Sequence, residues 1–450
     1  MALILLLGAL AEAFAYWPGL MTWDAIRQYG QALDGDFDDW HPPAMEWLWR
    51  QLVSVHPGPA PMLILQLALY WGGFALLAGW ALRERRRGLA VALVACAFLP
   101  VPFALMGAVL KDCLMAGALL SATGLLAWNL RVNRWSLRIP ALLLLVFAAM
   151  LRFNAFTACL PLFVALLPAE WRRTRLRLAI VSMLSLVPLL AAMPVANRLI
   201  GVQKSGVELS LVMFDMGGIT YHSGVSVFPP MGIADPVGVN RRCYSPVKWD
   251  PYSWWVAEPC PIGFEKMHAL IGDRSGYGPW LKAIAAHPIA YAEHRLAHFN
   301  INSRFLVHDE IERPVQDSPP PNDWHYRVPP NRVLTWIDRA ARLSAHSPLG
   351  WPIVWIAIAF GVLLLVPALP SASLILPLAL SSLLYGLGYG VFSVAAELRY
   401  HFWTMSAAAI ALVLTIADLK RGAGISCSRI ATAALPALIV TTLCIIWRLA

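Results

Sequence analysis

Long apolar runs alternate with short polar connections along most of this chain. Runs that cross, or nearly cross, a hydrocarbon layer of about 30 Å fall near 1–20, 60–82, 89–110, 113–130, 139–151, 153–169, 178–197, 349–369, 374–392, 402–417 and 430–447. The pattern predicts an all-α polytopic membrane protein with about eleven transmembrane helices. The fifth and sixth runs are short and read as a tilted or incomplete pair meeting at Arg152. Two polar intervals break the pattern. In 21–59, Ile26, Tyr29 and Leu33, then Met45, Leu48, Trp49 and Leu52, recur at helical spacing, as in amphipathic helices lying at an interface. The interval 198–348 predicts a mixed exterior domain, beginning with a short strand at Val207–Phe214. Within it, 279–300 reads as helix restarting at Pro288, 314–330 as a loop able to order over a substrate, and 331–344 as an amphipathic helix. The chain thus divides into an N-terminal transmembrane module, 1–197, the exterior domain, 198–348, and C-terminal membrane helices, 349–450.

Composition sharpens this. The 450 residues are 59% hydrophobic and 14% charged, with mean hydropathy +0.61, against roughly 45–50% and about 25% in soluble chains. That excludes an ordinary soluble enzyme, a disordered tail and a coiled coil. A net charge of +9 would suggest a nucleic-acid partner until the charges are placed. Arg83, Arg85, Arg86 and Arg87 share one connection, and Arg131, Arg134 and Arg138 the next. Arg172, Arg173, Arg175 and Arg177 follow, then Lys420, Arg421 and Arg429, with only Glu84, Glu170 and Asp418 opposing them. The interval 198–348 is nearly neutral, with 15 basic and 14 acidic residues. The charge is therefore a topology signal, and no nucleic acid is expected. The positive-inside bias predicts a multi-pass membrane protein with a cytoplasmic N-terminus. The Asp24 loop, the exterior domain and the C-terminus then lie outside.

Residues 1–20 lack the charged start of a cleavable signal and read as a retained helix, in which Glu12 must face protein or water. Cys243 and Cys260, 17 residues apart in the exterior interval, suit a disulfide in an oxidising compartment, with two buried thiols as the alternative. The other five cysteines read as small apolar fillers.

The candidate chemistry sits at the outer ends of the runs. Asp24 follows the first run by a few residues, at head-group depth, where a carboxylate serves as a general base; its structural alternative is a helix cap. Asp34, Asp36, Asp38 and Asp39 form either a solvated turn or oxygen ligands for a divalent cation. Lys111 and Asp112 stand together in a tight outer turn, either an ordinary interfacial ion pair or helix cap, or a phosphate contact and a second acid facing Asp24. Arg152 and Arg399 are lone cations that either snorkel to the interface or converge with Lys111 on an anionic leaving group. In the exterior domain His222, Trp254, Trp255, His268, Tyr291 and Arg295 are candidates for sugar contacts, each with a plain structural alternative. His294 and His298 have a zinc-compatible spacing without a third ligand.

An Asp after the first helix, an amphipathic stretch, Asp39-Trp40-His41-Pro42-Pro43 before the second span and Lys111-Asp112 in the second outer turn form an ordered set. Together they resemble the GT-C superfamily of membrane glycosyltransferases. It includes the protein O-mannosyltransferases, the lipid A aminoarabinose transferases and the oligosaccharyltransferase catalytic subunits, and the nearest likeness is to poorly characterised bacterial members. The resemblance covers about residues 1–200, with weaker support from Arg399-Tyr400, whereas 198–348 matches no exterior domain of that class. It implies a polyprenyl-phosphate-linked sugar donor, usually inversion at the anomeric carbon, and a glycan, lipid or protein acceptor. Asp24 would match the catalytic base, Asp112 the second-loop acid, and His41 the motif that shapes the first loop. Lys111, Arg152, Arg399 and Tyr400 would contact the donor. Some members use a divalent metal ion and others do not, so metal dependence stays open and no cofactor is certain. The alternatives are an O-antigen polymerase or ligase, and a non-enzymatic flippase or exporter of lipid-linked glycans. A transporter would place ionisable residues mid-span, and apart from Glu12 they stand here at helix ends.

Overall fold

The computed structural model describes residues 1–272, 276–308 and 320–450. Helix α1 (Ala2–Tyr16) leads into α2 (Trp23–Asp34) and α3 (Ala44–Val53) of the first polar interval. Then come α4 (Ala60–Arg83), α5 (Arg87–Cys96), α6 (Pro100–Leu105), α7 (Lys111–Val132), α8 (Trp135–Ala149), α9 (Phe156–Leu166) and α10 (Arg175–Ile200). The second polar interval forms α11 (Glu208–Ser223), α12 (Pro236–Cys243), α13 (Phe264–Ile271), α14 (Tyr277–Ala286), α15 (Pro288–Asn302) and α16 (Arg332–Ala345). Helices α17 (Pro352–Leu365), α18 (Ala372–Phe392), α19 (Phe402–Leu419) and α20 (Cys427–Leu449) follow.

Six helices (α4, α7, α10, α18, α19 with its preceding turn, and α20) are long and apolar enough to cross a membrane. Helices α1, α5, α8, α9 and α17 are apolar but shorter, so the chain is a membrane-embedded helical protein whose spans number fewer than the apolar runs by this measure. The run at 89–110 is not one helix: α5 stops at Cys96 and α6 begins at Pro100. A proline ring fits the first turn of a helix and clashes inside one.

Helix α7 is buried on nearly every side and packs along α4 and α8, as expected of a helix that is apolar all round. Close approach to α4 depends on small residues: a Cβ at Gly124 would stand 2.6 Å from that of Leu76. Helices α10 and α20 instead expose Leu184, Leu190, Leu438 and Ile446, the surface a bilayer would cover. Glu12 faces protein, accepting a hydrogen bond from Trp71 Nε1 at 2.8 Å. Arg86 pairs with Asp418 at 2.6 Å and Arg131 with Glu84 at 2.5 Å, which gathers three of the basic connections at one end of the bundle.

The second polar interval differs from the reading of its sequence. No named strand occurs among the described residues, so the domain is helical rather than mixed. The stretch expected as a strand at Val207–Phe214 lies almost wholly in α11, which buries Leu209, Val212, Met213, Phe214, Met216 and Ile219. It packs against α15 and α14, and the helix satisfies backbone groups that a strand would have had to pair elsewhere. The restart at Pro288 separates α14 from α15, and Cys243 and Cys260 form a disulfide. Helix α16 is capped by Asn331, whose side chain accepts from Leu334 N at 2.8 Å, and packs on α1 and α6. Of the loop expected at 314–330, residues 314–319 lie outside the described residues. Its remainder rests on α2, with Trp324 and Tyr326 edge-on to Tyr29 at 4.8 Å and 5.8 Å.

Candidate functional site

Backbone stitching between distant segments brings the outer-end residues together. Leu20 N donates to Gly107 O at 3.3 Å and Val109 N to Leu20 O at 2.9 Å, joining the exit of α1 to the entry of α7. Gln66 of α4 secures the same strip, donating to the carbonyls of Met106 (2.5 Å) and Ala108 (2.8 Å). Thr22 caps α2, its hydroxyl accepting from Ala25 N at 3.3 Å. Asp24 is therefore free of capping and sits in the first turn of α2, where the helix dipole favours a carboxylate. Lys111 opens α7 beside it, in a first helical turn rather than the tight turn expected.

The third contributor arrives from the far end of the sequence. Residues 393–396 pair with the second polar interval: Trp249 N donates to Val394 O at 2.9 Å and Ala396 N to Val247 O at 2.9 Å. Arg295 donates to Ser393 O at 2.7 Å and Asn302 to Ala395 O at 3.0 Å. His401 Nε2 lies 2.6 Å from Asn302 Oδ1. Arg399 is thereby aimed inward, between these anchors.

One carboxylate oxygen receives two cations: Asp24 Oδ2 lies 3.1 Å from Lys111 Nζ and 3.0 Å from Arg399. Lys111 also donates to His41 Nδ1 at 3.1 Å. An ammonium only donates, so Nδ1 is the acceptor and the imidazole is neutral, with Nε2–H turned towards Asp24 Oδ1 at 3.7 Å. Burial and the Lys111 charge lower the His41 pKa to about 3. For Asp24 burial pushes upward, but Arg399 and Lys111 prevail and hold it well below the ordinary carboxylate range.

Asp112 does not face Asp24. It pairs with Arg152, because successive residues of a helix point about 100° apart and Lys111 already takes the Asp24 side. The Arg152 guanidinium lies 4.2 Å from the Tyr400 ring and 5.9 Å from that of Tyr389. Arg399, also paired with Glu397, lies 5.6 Å from the Tyr400 ring. All seven residues singled out in the sequence (Asp24, His41, Lys111, Asp112, Arg152, Arg399 and Tyr400) therefore join one closed circuit. Asp24 keeps 23% of its side chain exposed, Lys111 10% and Arg399 14%, so the circuit is reachable.

Glu397 and the tyrosine pair under Arg152, Tyr385 and Tyr389 with hydroxyls 2.6 Å apart, escaped the sequence reading. Their signal was present: two tyrosines four apart in an apolar span, and an acid two residues before Arg399.

Elsewhere several polar candidates are held by partners of their own, while Asp34 and Asp36 are exposed. Asp38 pairs with Arg27 and accepts from Trp40 N, while Asp39 accepts from Ser205 N at 2.6 Å and Oγ at 2.7 Å. No group of three or more His, Cys, Asp or Glu side chains placed to hold a metal occurs among the described residues. His294 lies 3.1 Å from Asp215 and its Nδ1 is 2.9 Å from the Tyr244 hydroxyl. His298 donates from Nδ1 to Pro246 O at 2.7 Å. Asp215 also takes Arg295 at 2.5 Å and Trp280 Nε1 at 2.7 Å, so Arg295 is committed to a sealed core. Trp254, Trp255 and His268 are exposed, and His222 faces Glu293 at 3.5 Å.

No protein-family model, curated protein or solved structure matches the chain.

Proposed function

We propose that the chain is a glycosyltransferase that moves a sugar from a polyprenyl-phosphate donor to an envelope glycan, lipid or protein on the outer face of a bacterial inner membrane. The observation that carries this reading is the double hold of Lys111 and Arg399 on Asp24, drawn from three distant segments. In this reading the donor phosphate docks against Arg399, Lys111 and Arg152, with its prenyl tail along the apolar helices. The acceptor oxygen attacks the anomeric carbon from the opposite face of the sugar, and its proton passes to Asp24. The bond from that carbon to the phosphate oxygen breaks, the electron pair leaves with the phosphate, and the configuration inverts. Stabilising that departing charge with preorganised cations is the largest catalytic contribution expected of such a site.

The resting charge balance adds a condition. Asp24, Asp112 and Glu397 oppose Lys111, Arg152 and Arg399, and His41 is neutral. An arriving phosphate competes for Lys111 and Arg399 and loosens their hold on Asp24, which raises its proton affinity. The base is thus quiet until the donor is bound.

The test is direct. The purified chain in detergent, offered short-chain polyprenyl-phosphate sugars, should transfer them, and a folded Asp24→Asn protein should turn over about 10²–10⁴-fold more slowly, the range for loss of a general base. Near-normal turnover by Asp24→Asn rejects the base, and flipping of these lipids without any transfer rejects the enzyme in favour of a carrier.

A further inference from the structure

Trp40 precedes His41 in the chain but turns away from the circuit. Its ring centroid lies 4.9 Å from that of Trp254, 5.5 Å from that of Trp255 and 5.5 Å from that of Phe264. Trp249 and Phe264 of this group are buried, whereas Trp254 and Trp255 remain 41% and 47% exposed. Their indoles pack edge to face at 4.8 Å and 77°. Beside them opens a hollow of about 370 Å³ lined by Trp254, Phe264, Glu265, His268 and Ala269. Glu265 and His268, three residues apart on α13, share one face of that helix and are both exposed. The His268 ring lies parallel to that of Phe264 at 5.8 Å.

We propose that this hollow binds a pyranose ring of a glycan acceptor, an assignment that rests on the transferase reading of the Asp24 circuit. A pyranose has an apolar C–H face and a rim of hydroxyls. The Trp254 indole takes the face, the Glu265 carboxylate accepts from hydroxyls, and His268 supplies a further polar partner. A hydrocarbon chain would dry Glu265 and His268 without replacing their water, at a cost in free energy. The volume lies in the range of small-ligand pockets, about 300–1,000 Å³. Position adds to the chemistry. The backbone of residues 37–39 pairs with Gln203, and Asp39 is bonded to Ser205, so Trp40 and His41 ride on one anchored strip. Trp40 touches Trp254 and its neighbour His41 touches Lys111, so the hollow and the Asp24 circuit share that strip.

Saturation-transfer NMR on the full chain in detergent, with free malto-, manno-, galacto- and chito-oligosaccharides at millimolar concentration, tests this. Saturation should concentrate on the ring C–H protons of at least one probe. Trp254→Ala should weaken that binding about tenfold or more, the equivalent of about 1.4 kcal/mol. Glu265→Gln, a surface change that leaves the core intact, should weaken it severalfold, and Trp336→Ala on distant α16 should leave it unchanged. Asp24→Asn should bind the probe like the wild type, so that pocket and base fail separately. Absence of saturation for every probe, or wild-type binding by Glu265→Gln together with Trp254→Ala, overturns the glycan pocket and leaves the transfer reading standing. Should Trp254→Ala not fold, Glu265→Gln alone decides.

Discussion

Asp24 and Asp215 keep nearly the same company: an arginine, a histidine, and one further nitrogen donor each. Asp24 has Arg399, His41 and Lys111, and Asp215 has Arg295, His294 and the Trp280 indole. Their surroundings differ. The side chains of Asp215 and His294 have no exposed surface and Arg295 has 6%, whereas Asp24 keeps 23%. The sealed acid spends its partners on holding α11, α14 and α15 together. The open one holds two cations that an incoming anion can reach. Residue types alone therefore do not separate a structural ion pair from a site; access does.

The largest expected effect comes from breaking the sealed member. Asp215→Ala strands Arg295 in a dry core, and removing one partner of a buried pair costs about 3–5 kcal/mol. Thermal or denaturant unfolding of the variant should show that loss. A change below about 1 kcal/mol would mean that the core of the second interval is wetter than its burial indicates. Opening the other member should act on substrate use instead. Under the proposed transferase reading, Arg399→Ala removes a charge-assisted contact worth about 1.5–3 kcal/mol, so KM for the lipid-phosphate donor should rise about 10- to 100-fold with KM for the acceptor little changed. Equal effects on both substrates would move Arg399 from phosphate binding to general scaffolding.

A gentler probe uses pH. Burial lowers the His298 pKa to about 3, whereas an unfolded histidine titrates near about 6.5. The unfolded chain therefore takes up the proton first as pH falls. Stability is full above about 6.5 and declines towards the folded pKa, by about 1.4 kcal/mol per pH unit for one such group. His298→Asn, which keeps a donor for Pro246 O, should flatten the slope between pH 6.5 and 5. An unchanged slope would assign the acid sensitivity to His41 and His294, whose pKa values are lowered in the same direction.

Much of this arrangement was legible beforehand. The apolar runs marked the helices because burial in lipid demands them whatever the tertiary fold. Asp24, Lys111, Arg152 and Arg399 stood out because charge at the edge of an apolar run is costly. What stayed hidden was pairing. Asp112 turned to Arg152 through the 100° step between neighbours on a helix, a matter of register that no count of charges reveals. The misread strand at Val207–Phe214 had the same origin: its apolar residues continue to Ile219 at helical spacing, beyond the window that looked extended. Glu397 carries little signal of its own in the sequence, because an acid two residues from an arginine is as common in a plain surface turn as in a site.

Hydrogen bonds tie residues 393–396 to Val247, Trp249, Arg295 and Asn302. The helices outside the bundle are the jig in which Arg399 is clamped. Cutting them away would leave that guanidinium unmoored, so the smallest unit that keeps the Asp24–Arg399 pair is the bundle together with these helices.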